Sequence, residues 1–444
     1  MSLLTGKFTR NTLFFLIAKV SVFLGSVFWT IIIARLLGPS GKGIVSLTML
    51  VPSFTVLLVS FGIGISNVYF IGQKKYDIQG IINNSVFSSL AIGLPAVLLL
   101  WVFAPYITSS FLKGVPPSFL RVACFLIPLE MLKDYLSRIM LGRDKFKSFA
   151  ITKSLGASFL ILFVCLLVFR FNILRALIAY IIASLGEVIV CLIFVRERKY
   201  KILPMFNKSI FSDSIRFGIK AQVGSIFQYF NYRFDVFIVN WFLSASAVGY
   251  YTVAVAIAEL IFFIPDSLAW ALFPRVSSSD TKTANKFAPQ VFRHTMLLTS
   301  IAAFIIFILS KPLILLVFGQ KFIPSVKPLQ VLLPGIVAMS LRKVTGGYLS
   351  GIGKPEYNSY CALISLGATI FLDFLLIPKI GIIGASLATT VSYTLSCIVG
   401  LFWVLRESGT SLLNIIVPKQ TDLFFYREQS KILLKNLPPF VKSK

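Results

Sequence analysis

Histidine occurs once in 444 residues, at His294, and cysteine only five times, which leaves almost nothing from which to build a metal centre. Cys124, Cys165, Cys191, Cys361 and Cys397 all fall inside apolar runs and none forms a CxxC. No disulfide framework is implied, and each reads as a small buried apolar side chain. Acidic residues are scarce too: 16 stand against 43 lysines and arginines, for a net charge of +27. Charged residues of both signs make up 13% of the chain, about half of what a soluble protein carries. That shortage excludes an ordinary soluble fold. No Ser/His/Asp set and no phosphate-cradling glycine loop is present, so neither an enzyme nor a bound cofactor is expected. The basic excess does not point to nucleic acid, because it lies in short loops between apolar runs and not on one soluble face.

What the chain has in abundance is long apolar runs. Apolar residues are 57% of it, and mean hydropathy is +0.87. Crossing a bilayer takes about 20 apolar residues in a helix that satisfies its own backbone. The runs predict six spans in the first half, at Leu13–Leu37, Ile44–Ile71, Val86–Ile107, Phe119–Leu141, Phe149–Phe169 and Leu174–Val195. Six more follow, at Ile215–Leu243, Tyr250–Phe273, Met296–Phe318, Val326–Leu349, Tyr360–Ile377 and Ile380–Leu405. An all-α polytopic membrane protein of about twelve transmembrane helices is expected. The first run is too long for a signal core and reads as a permanent helix. Prolines within the spans (Pro52, Pro95, Pro128, Pro265 and Pro334) are expected to kink them.

Loop charge alternates along these spans. Loops with Lys74 and Lys75, Arg143 to Lys147, Arg196 to Lys208 and Arg275 to Arg293 belong to a set holding roughly three times the basic residues of the opposite set. The opposite set contains Arg35, Lys42, Lys113 and Lys321. This predicts a multi-pass protein of the inner (plasma) membrane with both termini cytoplasmic.

The chain also repeats itself. Leu37-Gly38-Pro39-Ser40 aligns with Leu243-Ser244-Ala245-Ser246, Phe111 with Phe318, Pro128 with Pro334, and Ser154-Leu155-Gly156-Ala157 with Ser365-Leu366-Gly367-Ala368. Six spans per repeat place both halves the same way up, as two parallel six-helix bundles around a central cavity. The expected organisation is an N-terminal lobe over 1–200, a cytoplasmic linker over 201–214, a C-terminal lobe over 215–405 and a cytoplasmic tail over 406–444. Within the tail, Leu423–Leu434 reads as an amphipathic helix on the membrane surface, where lipid is a partner.

A charge at mid-membrane costs about 2.5–3.5 kcal/mol on insertion scales, so such residues face a cavity or a partner. This chain places Lys19, Glu130, Lys133, Asp134 and Glu187 in spans of the first half. The second half has Lys220, Arg233, Asp235, Glu259 and Asp373, with Arg342 and Lys343 nearer a span end. On the seventh span Ile219, Val223, Ile226, Phe230, Phe234, Phe237 and Trp241 form one stripe within about 60°, leaving a polar remainder that calls for water or ligand. Lys19, Lys220, Arg233, Arg342 and Lys343 are the candidate cationic cavity. Glu259, Asp235, Glu130 and Asp373 are candidate cavity acids for coupling to a proton or sodium gradient. Glu130, Lys133, Asp134 and Arg138 could instead neutralise one another at helical spacing. Glu187 and Asp373 could pair across helices.

Ala34-Arg35-Leu36-Leu37-Gly38-Pro39 with Gly41 and Gly43, then Arg233-Phe234-Asp235 and Val248-Gly249-Tyr250-Tyr251, form an ordered series. Leu272-Phe273-Pro274, Leu349-Ser350-Gly351-Ile352-Gly353-Lys354-Pro355 and Ile380-Gly381-Ile382-Ile383-Gly384-Ala385 complete it. The series resembles the O-antigen and exopolysaccharide flippases of the multidrug/oligosaccharidyl-lipid/polysaccharide exporter superfamily, over residues from about 8 to 405. The resemblance implies alternating access and a substrate oligosaccharide on undecaprenyl pyrophosphate, turned from the cytoplasmic to the outer leaflet, with glycan assembly proteins as candidate partners. It implies basic lumen residues on helices 1, 7 and 8. In this chain helix 8 carries Glu259 and Asp266 instead, which makes Glu259 a coupling candidate. A drug or cation antiporter of the same superfamily is the alternative, and would favour an acidic cavity. A membrane-embedded glycan polymerase or ligase would need a sizeable outer loop, and every outer loop of this chain is short.

Overall fold

The computed structural model describes residues 7–167, 172–196, 199–417 and 419. Among these residues the regular structure is helical throughout, with no strand. The expected surface helix at Leu423–Leu434 lies outside the described residues.

The first helix, α1 (Lys7–Val59), is bent at Gly38, whose φ of 67° and ψ of −173° leave the helical region. Glycine reaches that geometry without steric cost, and Pro39 next to it cannot donate to the preceding turn. One continuous helix thus becomes two arms; the first corresponds to the first expected span, whereas the second ends at Val59, inside the expected span Ile44–Ile71. Left-handed Phe61 and Gly62 then separate it from α2 (Ile63–Gly72). α3 (Ile78–Phe111) starts where the Asp77 side chain accepts from the Gly80 N–H, capping the first turn. α4 (Pro117–Ala123) and α5 (Leu126–Gly142) follow, parted by a turn at Cys124 and Phe125. α6 (Phe146–Leu167) and α7 (Ile173–Arg196) complete the first half.

α8 (Lys208–Phe242) begins inside the expected linker, because Asn207 caps it by accepting from the Ile210 N–H. α9 (Ala245–Ala258), a 3₁₀ turn (Glu259–Phe262) and α10 (Phe263–Ser277) make one apolar stretch. α11 (Thr281–Val317), a second 3₁₀ turn (Gln320–Ser325), α12 (Val326–Gly351), α13 (Glu356–Ile380), α14 (Ile382–Ser408) and short α15 (Leu412–Ile416) follow.

By length and apolarity, nine helices among the described residues could cross a membrane, against about twelve expected. The difference has identifiable causes. α1 counts once although Gly38 divides it. α8 is long enough at 35 residues but carries Lys220, Gln222, Gln228, Asn231, Arg233 and Asp235 along it. The α4–α5 segment is broken into pieces too short to qualify singly.

The chain divides into two compact units that do not follow the sequence repeat. The first contains Met1–Ala256, Lys311–Pro328 and Leu372–Ala385. In it α1 packs on α6, α6 on α7, and α5 on α2, α3 and α7. Trp29, Ile33, Val45, Leu160 and Val164 form one apolar core, and Phe70, Ile81, Leu136 and Met140 another. α3 leaves Leu98 and Val102 64% and 59% exposed. In water so apolar a face would drive association, whereas in a bilayer it simply meets lipid. The second unit contains Ile257–Ser310, Leu329–Phe371 and Ser386–Lys444. Its core gathers Leu272, Val276, Phe292, Val344 and Tyr348, with Phe292 and Tyr348 edge to face at 5.9 Å.

Within the first unit, α8 is fastened to the N-terminal half along its length. At the end near the Lys74–Lys75 turn, Gly218 lies against the backbone of Phe61 and Gly62, so closely that a Cβ on Gly218 would overlap them. Beside it, Lys75 and Tyr76 both donate to the Asp213 carboxylate. Those two hydrogen bonds, Lys75's first, hold the Asp213 carboxyl below its ordinary range, and the same bond holds the Lys75 ammonium above its own. The clasp is therefore closed at neutral pH. It is lost as pH falls through the lowered carboxyl value, or rises through the raised lysine value. Midway, Phe54 of α1 packs against Tyr229, Phe230 and Phe237, so part of the expected apolar stripe meets protein and not lipid. At the far end the Lys113 ammonium donates to the Trp241 carbonyl. Gly218→Val should cost about 1–3 kcal/mol through overpacking. A thermal midpoint in detergent equal to wild type would show that this close approach contributes nothing.

Candidate functional site

An apolar helical lobe has no reason to bury charge unless the charges meet each other or a ligand. In the first unit they meet around a cavity of about 460 Å³, large beside the roughly 30 Å³ that one water occupies. Both arms of α1 contribute its wall, with Gly25, Ser26, Trp29 and Ser53 among the lining residues. α5 contributes Glu130 and Lys133, α6 contributes Lys153 and Gly156, and α7 contributes Tyr180, Ser184 and Glu187.

These charges form one connected network. The Lys133 Nζ lies 2.6 Å from Glu130 Oε1 and 3.4 Å from Glu187 Oε2. Lys153 Nζ lies 2.8 Å from Glu187 Oε1, and the Ser184 hydroxyl donates to Glu130 Oε1 at 3.1 Å. Glu130 and Lys133 share a face because they are three apart on one helix. Their neighbours Asp134 and Arg138 pair with each other at 2.8 Å. The neutralising alternative thus describes the α5 cluster in two separate pairs, and Glu187 joins the first from another helix.

The second constellation is acidic. Asp235 on α8 is 3% exposed, accepts from the Val236 N–H at 2.7 Å and from the Tyr251 hydroxyl of α9. Asp373 on α13 is fully buried, and neither carboxylate oxygen has a hydrogen-bond partner among the described residues. The two carboxylates are within electrostatic range of each other. Glu187 does pair across helices, with two lysines, whereas Asp373 has no such pair among the described residues. An unpaired buried carboxylate is expensive, and where one persists it points to a proton or a cation.

The expected cationic residues are distributed differently. Lys19 is half-buried, with its ammonium 5.6 Å from the Phe15 ring centroid. Lys220 is exposed. Arg233 is half-buried and within electrostatic range of Lys42, a lysine only 7% exposed just past the Gly38 bend. None of the three lines the 460 Å³ cavity. In the second unit Arg342 donates to Asn358 Oδ1 at 2.9 Å, and Lys343 reaches Asp266 at 2.9 Å with its ammonium 4.2 Å from the Phe262 ring. Glu259 is half-buried in the 3₁₀ turn after α9.

The sequence pattern puts Lys42 in a loop, whereas it stands in a helix, and it places Lys153 only four residues inside an expected span. Lys153 is seven residues into α6, and an apolar run that begins only at Phe149 hides how deep it goes. Lys133 and Glu187 stand out in the sequence as intramembrane charges, but not as members of the cationic cavity or of the coupling acids. The signal available was their depth, since they lie seven and nine residues from the nearer helix end.

A family model described as "Polysaccharide biosynthesis protein" matches residues 32–327, more than half of the chain. The chain belongs to this family. A putative O-antigen transporter of Shigella flexneri is 25% identical over 382 residues, spanning 82% of this chain and 90% of that protein. A probable low-salt glycan biosynthesis flippase of Haloferax volcanii is 28% identical over 201 residues, 44% of this chain and 42% of that protein. Among solved structures, the lipid II flippase MurJ in an inward closed conformation superposes with a TM-score of 0.77 at 18% identity, covering 96% of this chain and 93% of that one. An inward-facing multidrug resistance transporter of the MATE family reaches 0.72 at 15% identity, over 87% and 95%. These two structural likenesses establish the fold, a polytopic arrangement of helices.

Proposed function

We propose that the protein is a flippase that carries an oligosaccharide on a polyprenyl pyrophosphate from the cytoplasmic to the outer leaflet by alternating access. The observation that carries this reading is the fixed cations held within an apolar transporter lobe, Lys133 and Lys153 at the cavity and Lys42 beside Arg233. A pyrophosphate is an anion that must shed water to pass, and such groups offset that loss by charge-assisted hydrogen bonds while the lipid tail stays in the bilayer. Lys19, Lys220 and Arg233 supply the remaining basic residues of the first unit, and Arg342 and Lys343 those of the second. Coupling to a proton or sodium gradient is assigned to Asp235 and Asp373, with Glu259 and Glu130 as further acids. The two halves work as six-helix lobes, twelve crossings in all, with the Lys74–Lys75 end and both termini cytoplasmic.

Function is tested in cells whose own glycan flippase is deleted. Arg233→Ala should reduce surface glycan at least tenfold and Arg233→Lys less, since lysine keeps the charge but loses the bidentate grip. Wild-type export by Arg233→Ala would remove Arg233 from the path. Sidedness is tested by single cysteines at Ser212 and Ser118, both exposed, in a background lacking the native five. They should react with an impermeant thiol reagent from opposite sides; labelling from one side would end the twelve-crossing arrangement.

A further inference from the structure

The four charges at the N-terminal cavity sum to zero. Lys133 and Lys153 both hold Glu187, and Lys133 also holds Glu130. Two ammonium groups converging on one carboxylate make the geometry with which proteins hold a phosphate, with a side-chain carboxylate in the anion's place. Glu187 itself is pressed against the backbone of Gly156: a Cβ there would come within 2.6 Å of its Oε2. Gly25, Ser26, Ala157 and Ala183 also line the cavity, and Gly25 packs so closely on Ala157 that a Cβ there would come within 2.9 Å of the alanine's own.

We infer that Lys133 and Lys153 form an anion site for a phosphate or pyrophosphate group, latched by Glu187 when no anion is present. The identity of the anion as a lipid carrier's pyrophosphate rests on the flippase reading; the latch does not. The arriving anion takes over the hydrogen bonds from Lys133 and Lys153, and Glu187 is left with neither. A displaced carboxylate beside a bound anion is a like-charge pair in a water-poor space, which is costly enough to be relieved by taking up a proton. Anion binding and proton uptake are then one event, and the site weakens as pH rises.

The groups facing Glu187 and its partners allow this. Both arms of α1 present no titratable side chain to the cavity. α5 presents Glu130 and Lys133, α6 presents Lys153, and α7 adds Tyr180, with Cys191 in electrostatic range of Lys153 and Glu187. From α8, Tyr229 is in range of Tyr180. Glu130 is the one other carboxylate among them, and it keeps the Ser184 hydroxyl when Lys133 turns to the anion.

The test is calorimetric titration of inorganic pyrophosphate and of farnesyl pyrophosphate into the full chain in lipid nanodiscs. Two buffers of different ionisation enthalpy count the protons taken up. Wild type should bind with close to one proton gained and bind about tenfold more weakly at pH 8 than at pH 6. Glu187→Gln should bind about tenfold tighter, with the proton uptake gone. Glu187→Asp, a milder change that keeps the charge, should bind slightly tighter and keep the uptake. Lys153→Gln should lose at least tenfold in affinity, and Lys153→Arg should recover most of it. Unchanged or weaker binding by Glu187→Asp and Glu187→Gln, or binding without proton uptake, overturns the latch. Pyrophosphate binding with all these signatures, in a protein that restores no surface glycan to flippase-deleted cells, would keep the latch and reject the flippase reading. No pyrophosphate binding alongside Lys153-dependent glycan export would do the reverse.

Discussion

Asp373→Asn is expected to make the protein more stable and to abolish the dependence of transport on the ion gradient. The first half follows from burial without partners. Asp373 is fully buried and neither of its oxygens receives a hydrogen bond among the described residues, while a second buried carboxylate, Asp235, is within electrostatic range. Leaving a buried polar group unsatisfied costs about 1–3 kcal/mol, more when it is charged. The amide keeps the shape and cannot ionise, so part of that cost disappears and the thermal midpoint rises. The second half follows from the same fact. A group that evolution holds in an unfavourable setting is one whose charge is used, and stability gained there is expected to come with lost activity. Gradient-driven transport should fall at least tenfold, with Asp373→Glu intermediate. A lower midpoint for Asp373→Asn would mean that the carboxylate is satisfied in the working protein by a bound cation, whose loss the amide could not replace.

Lys133→Ala is expected to act in the opposite direction on stability. A single ammonium there serves two carboxylates on different helices, Glu130 on its own and Glu187 on α7. Breaking a buried pair from one side costs about 3–5 kcal/mol, because the other side keeps its charge. Glu187 still has Lys153, and the Glu130 side chain is 29% exposed, so the lower end of that range applies. Removing both charges together, as Lys133→Met with Glu130→Gln, should recover most of the lost stability but none of the transport. Thermal midpoints in detergent separate these outcomes. A Lys133→Ala protein melting with wild type would show that water, and not Glu130 and Glu187, satisfies this lysine.

Both expectations turn on residues that the sequence makes visible to different degrees. The helices themselves are legible because apolar runs of bilayer length have few other uses, and the Gly38–Pro39 bend is legible from the residue pair that makes it. α8 shows itself by its apolar stripe and polar remainder, although its overall polarity keeps it out of a count based on hydropathy alone. Asp235 and Asp373 can be picked out because a carboxylate in an apolar run stands out. Their proximity cannot be seen, since it depends on how α8 and α13, distant in sequence, come together. The same holds for Glu187, whose partners Lys133 and Lys153 come from two other helices. Lys42 illustrates a different limit. Its run of Gly, Pro and Ser neighbours has the composition of a loop, yet it continues as helix past the bend and buries its lysine. Arg342 and Lys343 look unpaired in the sequence because their partners Asn358 and Asp266 belong to neighbouring elements.

The activity proposed for this chain is the turning of a lipid-linked glycan across a bilayer. It can be measured with the purified protein in sealed liposomes holding a fluorescent polyprenyl-pyrophosphate oligosaccharide in the inner leaflet, with a lectin added outside. The lectin should capture the glycan steadily once an ion gradient is imposed, and Lys153→Gln and Asp373→Asn should each slow capture at least tenfold. If wild-type protein left the glycan inaccessible while expelling a hydrophobic cation against its gradient, the protein would be a drug exporter of the same superfamily and not a flippase.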